Sequence, residues 1–163
     1  MSKYERTINW DDYWETNTPS DLEEMKQGGK DMADRLEQFF DEFPNSFLSV
    51  GCGFAFTLFT LADRHPDTTF VGVDTSRSVI IQNRKRANNQ GIENLTFNEG
   101  KLPELTLNQT FESVYCYATL HYVADTESAV QSLYTHVQPG GTLIFHYPNH
   151  THALRSGKVT TIR

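Results

Sequence analysis

Cysteine is scarce in this chain of 163 residues, with only Cys52 and Cys116 present. Neither stands in the paired spacing of a zinc ligand set or in a disulfide-dense pattern. A disulfide-stapled or Cys-based metal scaffold is therefore excluded, and free thiols in a reducing compartment are expected. Long apolar runs are also missing. No stretch approaches the roughly 20 residues that a membrane helix needs, and the N-terminal MSKYERTINWDDYWE lacks the apolar segment of a secretion signal. The expected location is the cytoplasm, with no membrane partner. Positive charge is in deficit, 14 Lys and Arg against 21 Asp and Glu, which gives a net charge of −7. Such a chain repels phosphate backbones and anionic lipid surfaces, so nucleic acid is not an expected partner. No internal repeat, low-complexity tract or linker is visible. Three N-x-T triplets, beginning at Asn94, Asn108 and Asn149, read as polar loop sequence in the absence of a secretion signal.

What is present fits one globular domain over residues 1–163, with 37% hydrophobic and 21% charged residues. It divides into a helical lead (1–45), a core (46–147) and a short polar tail (148–163). In the lead, Pro19-Ser20 followed by Glu23 predicts a capping box and a helix from about residue 20. Gly28-Gly29 is expected to interrupt or bend that helix. Beyond it Met32, Leu36, Phe39, Phe40 and Phe43 recur at helical spacing until Pro44. The core alternates strand and helix. The apolar runs 47–50, 69–73, 94–98, 111–117 and 142–147 read as strands, and 54–64, 76–89 and 126–137 as helices. The predicted fold is α/β: a doubly wound, Rossmann-like, mostly parallel sheet with helices on both faces, a three-layer sandwich. Ligands of such sheets sit beyond the carboxyl ends of the strands, where the strand order reverses.

Two motifs sit where that rule points. Val50-Gly51-Cys52-Gly53-Phe54-Ala55 follows the first strand and opens a helix, so small residues permit a sharp turn and close approach of a ligand to the backbone. The second strand ends in Val71-Gly72-Val73-Asp74, which places a carboxylate where it can accept two hydrogen bonds from a ribose diol. A tight turn alone for the glycines, and a helix cap for Asp74, are the structural alternatives. A dinucleotide fingerprint would need Gly or Ala at the position held by Phe56, because the helix must pack closely beside a pyrophosphate. A nucleoside without phosphate is the better fit.

FLSVGCGFA, FVGVD, FESVYCYATLHYV and QPGGTLIF together resemble the successive motifs of the class I S-adenosylmethionine-dependent methyltransferases, in particular those acting on small molecules. The resemblance runs from about residue 46 to 147. It implies S-adenosyl-L-methionine as cofactor and a small-molecule acceptor. It also implies that Gly51, Cys52 and Gly53 form a floor under the methionine moiety, that Asp74 binds the ribose hydroxyls with Thr75 and Ser76 near the adenosine, that Lys101 and Leu102 flank the adenine, and that Tyr117 and Ala118 lie close to the reacting sulfonium. Pro139-Gly140-Gly141 is expected to turn into the fifth strand.

Three positions depart from the family's pattern. Ser49 replaces an acidic residue that orients the methionine end, Ala55 replaces the last loop glycine, and Lys101 replaces an Asp that accepts from the adenine amino group. Ser49 can still hydrogen-bond, whereas an ammonium only donates and so shifts adenine recognition to backbone or stacking. The tail is too short for the helix and hairpin that usually follow, so the fifth strand is expected to be an unpaired edge, with a homodimer forming through it.

His121 in Leu120-His121-Tyr122 is the candidate general base or acceptor-positioning group, with a histidine bonded at a helix start as the alternative. Tyr13 and Trp14 can act as a lid or pack on the surface, and packing is preferred. His146, His150 and His152 fit no zinc signature and read as polar tail residues, so no metal is expected. Cys52 and Cys116 have no visible nucleophile partner. Two rival readings stand: a noncatalytic or impaired cofactor-binding module, suggested by Lys101 and the short tail, and a nicotinamide-dependent oxidoreductase, disfavoured by Phe56.

Overall fold

The computed structural model describes residues 8–147, 151–155 and 158–162. Two helices lead: α1 (Trp10–Glu15) and α2 (Pro19–Phe39). The alternating core follows as β1 (Ser46–Val50), α3 (Phe56–Arg64), β2 (Thr69–Asp74), α4 (Arg77–Gln90), β3 (Leu95–Glu99), β4 (Phe111–Cys116), a 3-10 turn at Leu120–Tyr122, α5 (Thr126–Thr135) and β5 (Val137–His146). A hairpin, β6 (Thr151–Arg155) and β7 (Lys158–Ile162), closes the chain's described part.

The described strands form one sheet in the order β3-β2-β1-β4-β5-β6-β7. Strands β1 to β5 run parallel, and β6 and β7 add antiparallel. Side chains alternate faces along a strand, and the sequence exploits this. Phe47, Phe70, Phe97, Tyr115 and Ile144 pack with Leu36 of α2, Leu58 and Leu61 of α3 and Ile80 of α4. Leu48, Val71, Val114, Cys116 and Leu143 point the other way, onto Leu120 and onto Ala129 and Leu133 of α5. Both faces are covered, as a parallel sheet requires. The chain crosses from one side of β1 to the other between β3 and β4, so the strand order reverses between β1 and β4 and opens a crevice at their carboxyl ends.

Several sequence expectations change at this level. The cap of α2 is Thr18, whose hydroxyl accepts from the Asp21 backbone while Asp21 accepts from the Thr18 backbone. The reciprocal box therefore lies two residues before the expected one, with Pro19 at the first helical position, where its missing N–H costs nothing. Gly28-Gly29 does not break α2. A Cβ at Gly29 would lie 2.5 Å from Phe56 Cβ, so this glycine lets α2 and α3 touch. Pro139-Gly140-Gly141 lies inside β5 rather than before it, at a register shift against β4 between Phe111 and Ser113. A Cβ at Gly141 would meet the Glu112 carbonyl at 2.7 Å.

The largest correction concerns the fifth strand. It is not an unpaired edge: Thr142–His146 pairs with Thr151–Arg155, and that strand pairs with β7. The tail dispenses with a helix and turns directly into a hairpin of two five-residue strands, which so short a segment can supply. Ala153 is buried, Leu154 packs on the α5 side, and the Arg155 guanidinium lies 5.0 Å over the Phe39 ring. The reason for expecting dimerisation through β5 disappears with the edge. Among the described residues no helix is long and apolar enough to cross a membrane, and no group of His, Cys, Asp and Glu side chains is placed to hold a metal ion. His150 lies outside the described residues.

Candidate cofactor and acceptor site

The loop after β1 is held in left-handed conformations at Gly51 (φ 72°), Gly53 (φ 50°) and Ala55 (φ 56°). The Gly51 and Cys52 N–H groups both donate to the Val73 carbonyl, at 2.7 and 3.0 Å, which ties the loop to the end of β2. The need for glycine is steric as well as conformational. A Cβ at Gly51 would lie 2.0 Å from Thr119 Oγ1, and one at Gly53 would lie 2.6 Å from the Trp14 ring. Ala55 pays about 1–2 kcal/mol for its positive φ. Ala118, after β4, shares that conformation (φ 51°), and such strain gathers at functional loops.

Asp74 ends β2 and is 6% exposed. Its Oδ2 accepts the Gly53 N–H at 2.8 Å and its Oδ1 accepts the Ser76 N–H at 2.9 Å. Burial pushes its carboxyl above the usual range, the Ser76 and Gly53 N–H groups pull it back, and the nearby Asp11 charge pushes it up further. A carboxylate has about four lone-pair positions, so acceptor capacity remains for a diol. Asp74 is not the cap of α4. That role belongs to Ser76, whose hydroxyl accepts the Val79 N–H and donates to the Asp11 carboxylate.

Around this loop lies a cavity of about 1180 Å³. Ser49, Gly51, Cys52, Gly53, Asp74, Thr75, Lys101, Leu102, Tyr117 and Ala118 all line it. The topology thus brings together ten positions drawn from the ends of β1, β2, β3 and β4. Ser76 is not in the lining, being engaged by α4 and α1. His121 is not in it either: its ring lies tilted against Tyr122 at 4.0 Å and 6.4 Å from His146.

The lead helix supplies residues whose role the sequence reading left open. Trp14 of α1 sits against Phe54 of the loop, with ring centroids 5.0 Å apart, and Trp10 meets Tyr122 edge-on at 4.9 Å. Trp10, Tyr13 and Trp14 all line the cavity, so α1 packs and covers at once. The signal was present: aromatic residues at i, i+3 and i+4 share one helix face, and Asn9 caps that helix through its side-chain oxygen. Asn83, which donates to the Gly53 carbonyl at 2.7 Å, and Thr119, wedged against Gly51, were missed because each acts through three-dimensional contact alone.

The residues fit S-adenosylmethionine. A buried carboxylate faces the cavity for the ribose, the loop offers backbone rather than a phosphate-binding helix end, and the Trp14 indole N–H is buried without a hydrogen-bond partner among the described residues. A buried orphan donor is rare and costs free energy unless a ligand satisfies it.

Comparison with known proteins agrees. Residues 45–161 match the family described as "Methyltransferase domain". The trans-aconitate 2-methyltransferase of Deinococcus radiodurans is 30% identical over 140 residues, covering 85% of this chain and 52% of that protein. A tRNA (guanine-N(7)-)-methyltransferase of Brevibacillus brevis is 32% identical over 71 residues, 42% of this chain and 33% of that one. The chain spans about half the length, or less, of these relatives. Among solved structures, coclaurine N-methyltransferase bound to N-methylheliamine and SAH superposes with a TM-score of 0.66 at 14% identity, covering 72% of this chain and 35% of that one; this likeness concerns the fold. Motifs, fold and family match converge: the chain belongs to the class I S-adenosylmethionine-dependent methyltransferases.

Proposed function

We propose that the domain binds S-adenosylmethionine in the cavity at the ends of β1, β2 and β4 and supports transfer of its methyl group to a small-molecule acceptor. The observation that carries this is Asp74, buried, held by two backbone N–H groups and facing the cavity beside a positive-φ glycine loop. Gly51, Cys52 and Gly53, with Ser49, hold the methionine end. Asp74 takes the ribose hydroxyls with Thr75 beside it, while Ser76 fixes that segment through its cap on α4. Lys101 and Leu102 flank the adenine, with Leu102 offering the apolar contact. Tyr117 and Ala118 stand nearest the reacting methyl. The Trp14 N–H supplies a donor to the cofactor's carboxylate.

When bound, the cofactor supplies an electrophilic methyl on a sulfonium; the chain's part is to align the acceptor and exclude water. A base is needed only by acceptors that must lose a proton, and His121 reaches such an acceptor only where it extends past Tyr122. The acceptors named for the relatives range from trans-aconitate to a tRNA, so no acceptor transfers by name. A noncatalytic cofactor-binding module is the second reading, favoured by Lys101 at the adenine end. Titration with S-adenosylhomocysteine, followed by an assay for its release from S-adenosylmethionine across an acceptor panel, separates the two. Binding with release supports transfer, and binding without release for any acceptor supports the module.

A further inference from the structure

The two ends of the cavity differ in charge and in ring content. On the β3 side, Lys101 and Glu104 line it with opposite signs. On the β4 side the lining runs through Tyr115, Tyr117, Tyr122 and Asp125 and, among the described residues, includes no lysine or arginine. Trp10 and Tyr13 of α1 reach across to this side: their centroids are 5.4 Å apart at 73°, and Trp10 lies 4.9 Å from Tyr122 at 82°. Tyr13, Tyr117 and Tyr122 are 44%, 39% and 50% exposed. These rings therefore present faces and edges at the opening rather than being consumed in the core.

We infer that this rim receives an organic cation, a protonated amine, and that the acceptor class of the domain is an amine rather than a polycarboxylate. The inference rests on the cofactor reading above. Aromatic faces attract ammonium groups through the ring quadrupole, and a carboxylate beside them adds a charge of the right sign. A polycarboxylate would meet the reverse: among the described residues no lysine or arginine lines the β4 side to pair with it, and Asp125 would repel it. Asp125 keeps its charge near neutral pH, because the Ser128 hydroxyl and backbone N–H hold its carboxyl below the usual range. The other titratable groups around the rim are His121 against Tyr122, His146 against Tyr117, and Asp11 and Asp12 on α1. An amine arriving as its ammonium must release a proton to solvent before its lone pair can accept a methyl group.

The test is calorimetric titration at pH 8 of the full chain, first with S-adenosylhomocysteine and then, saturated with it, with benzyltrimethylammonium, benzyl alcohol and benzoate. The homocysteine form carries no sulfonium, so the cofactor's own charge does not enter. The expected order is cation, alcohol, benzoate, with the cation about fivefold tighter than the alcohol. Asp125→Asn, which retains a helix cap, should lower the cation preference about two- to fivefold while leaving S-adenosylhomocysteine affinity unchanged, and Tyr122→Leu should lower that preference by a similar factor. Benzoate binding as tightly as the cation, no probe binding, or a cation preference that survives both substitutions overturns this inference alone. Failure of S-adenosylhomocysteine to bind overturns the cofactor reading and this one with it.

Discussion

The Gly53 backbone N–H donates to Asp74 Oδ2 at 2.8 Å, across 21 residues of sequence. The glycine loop thus aims the carboxylate that we propose takes the ribose hydroxyls, and the two motifs form one device. Asp74 must be ionised to accept from a diol, yet its folded-state pKa lies above the ordinary value because it is buried. Affinity for S-adenosylhomocysteine should therefore begin to fall with decreasing pH above the usual Asp range. The same shift acts on stability with opposite sense. Since the folded state binds this proton more tightly than the unfolded one, ionised Asp74 disfavours the fold, and that penalty fades as pH falls below the folded pKa. Titrations of affinity and of thermal midpoint between pH 4 and 8 should show the two trends diverging, with the affinity trend absent in Asp74→Asn.

Replacing Trp14 by Phe keeps an aromatic ring near Phe54 but removes the orphan N–H together with part of the indole that meets Gly53. The N–H itself contributes no stability to the free protein, because a buried donor without a partner contributes none, so any lowering of the ligand-free melting temperature reports the lost ring packing. Affinity for S-adenosylhomocysteine should fall by about tenfold or more, given that a hydrogen bond to a charged group contributes about 1.5–3 kcal/mol. Thermal melts with and without the ligand check both halves.

Gly53→Ala should act on lid and loop together. Its Cβ would press into the Trp14 ring at 2.6 Å, in a backbone conformation with φ of 50°. The left-handed penalty alone is about 1–2 kcal/mol. Loss of protection from proteolysis in α1 and a lowered melting temperature are the expected readouts.

How much of this was legible beforehand follows the physics of each signal. The β-α-β alternation and the Gly51, Gly53 and Asp74 positions could be read because each depends on local sequence: period-two apolar runs, residues tolerant of positive φ, an acid at a strand's end. Ala55, read from the sequence only as a replacement of the last loop glycine, takes a φ of 56° and so carries strain that a glycine would avoid. The hairpin after β5 escaped because the expectation of a helix before it left too few residues, although Thr151–Arg155 needs only five. Thr18 was passed over for Ser20 because both fit a cap, and only the Thr18–Asp21 reciprocity decides. His121 carried chemistry by residue type, but the turn at Leu120–Tyr122 sends its ring toward His146 instead of into the cavity lining.

Both thiols should be slow to react. Burial pushes Cys116 up to about 12, and burial together with the Asp74 charge raises Cys52 well above its ordinary value. The thiolate is the reactive form, so a disulfide reagent at pH 8 should modify native protein far more slowly than protein in denaturant. Fast native labelling at Cys52 would show that the cavity admits the reagent to its thiol.

The measurement closest to the central claim is calorimetric titration of the purified chain with S-adenosylhomocysteine, alongside Asp74→Ala. Saturable one-to-one binding, weakened at least a hundredfold by the substitution in a protein that still melts cooperatively, is the predicted result; two lost charge-assisted hydrogen bonds would account for about 3 kcal/mol or more. Binding unaffected by Asp74→Ala, or no binding to a cooperatively folded wild type, would contradict it.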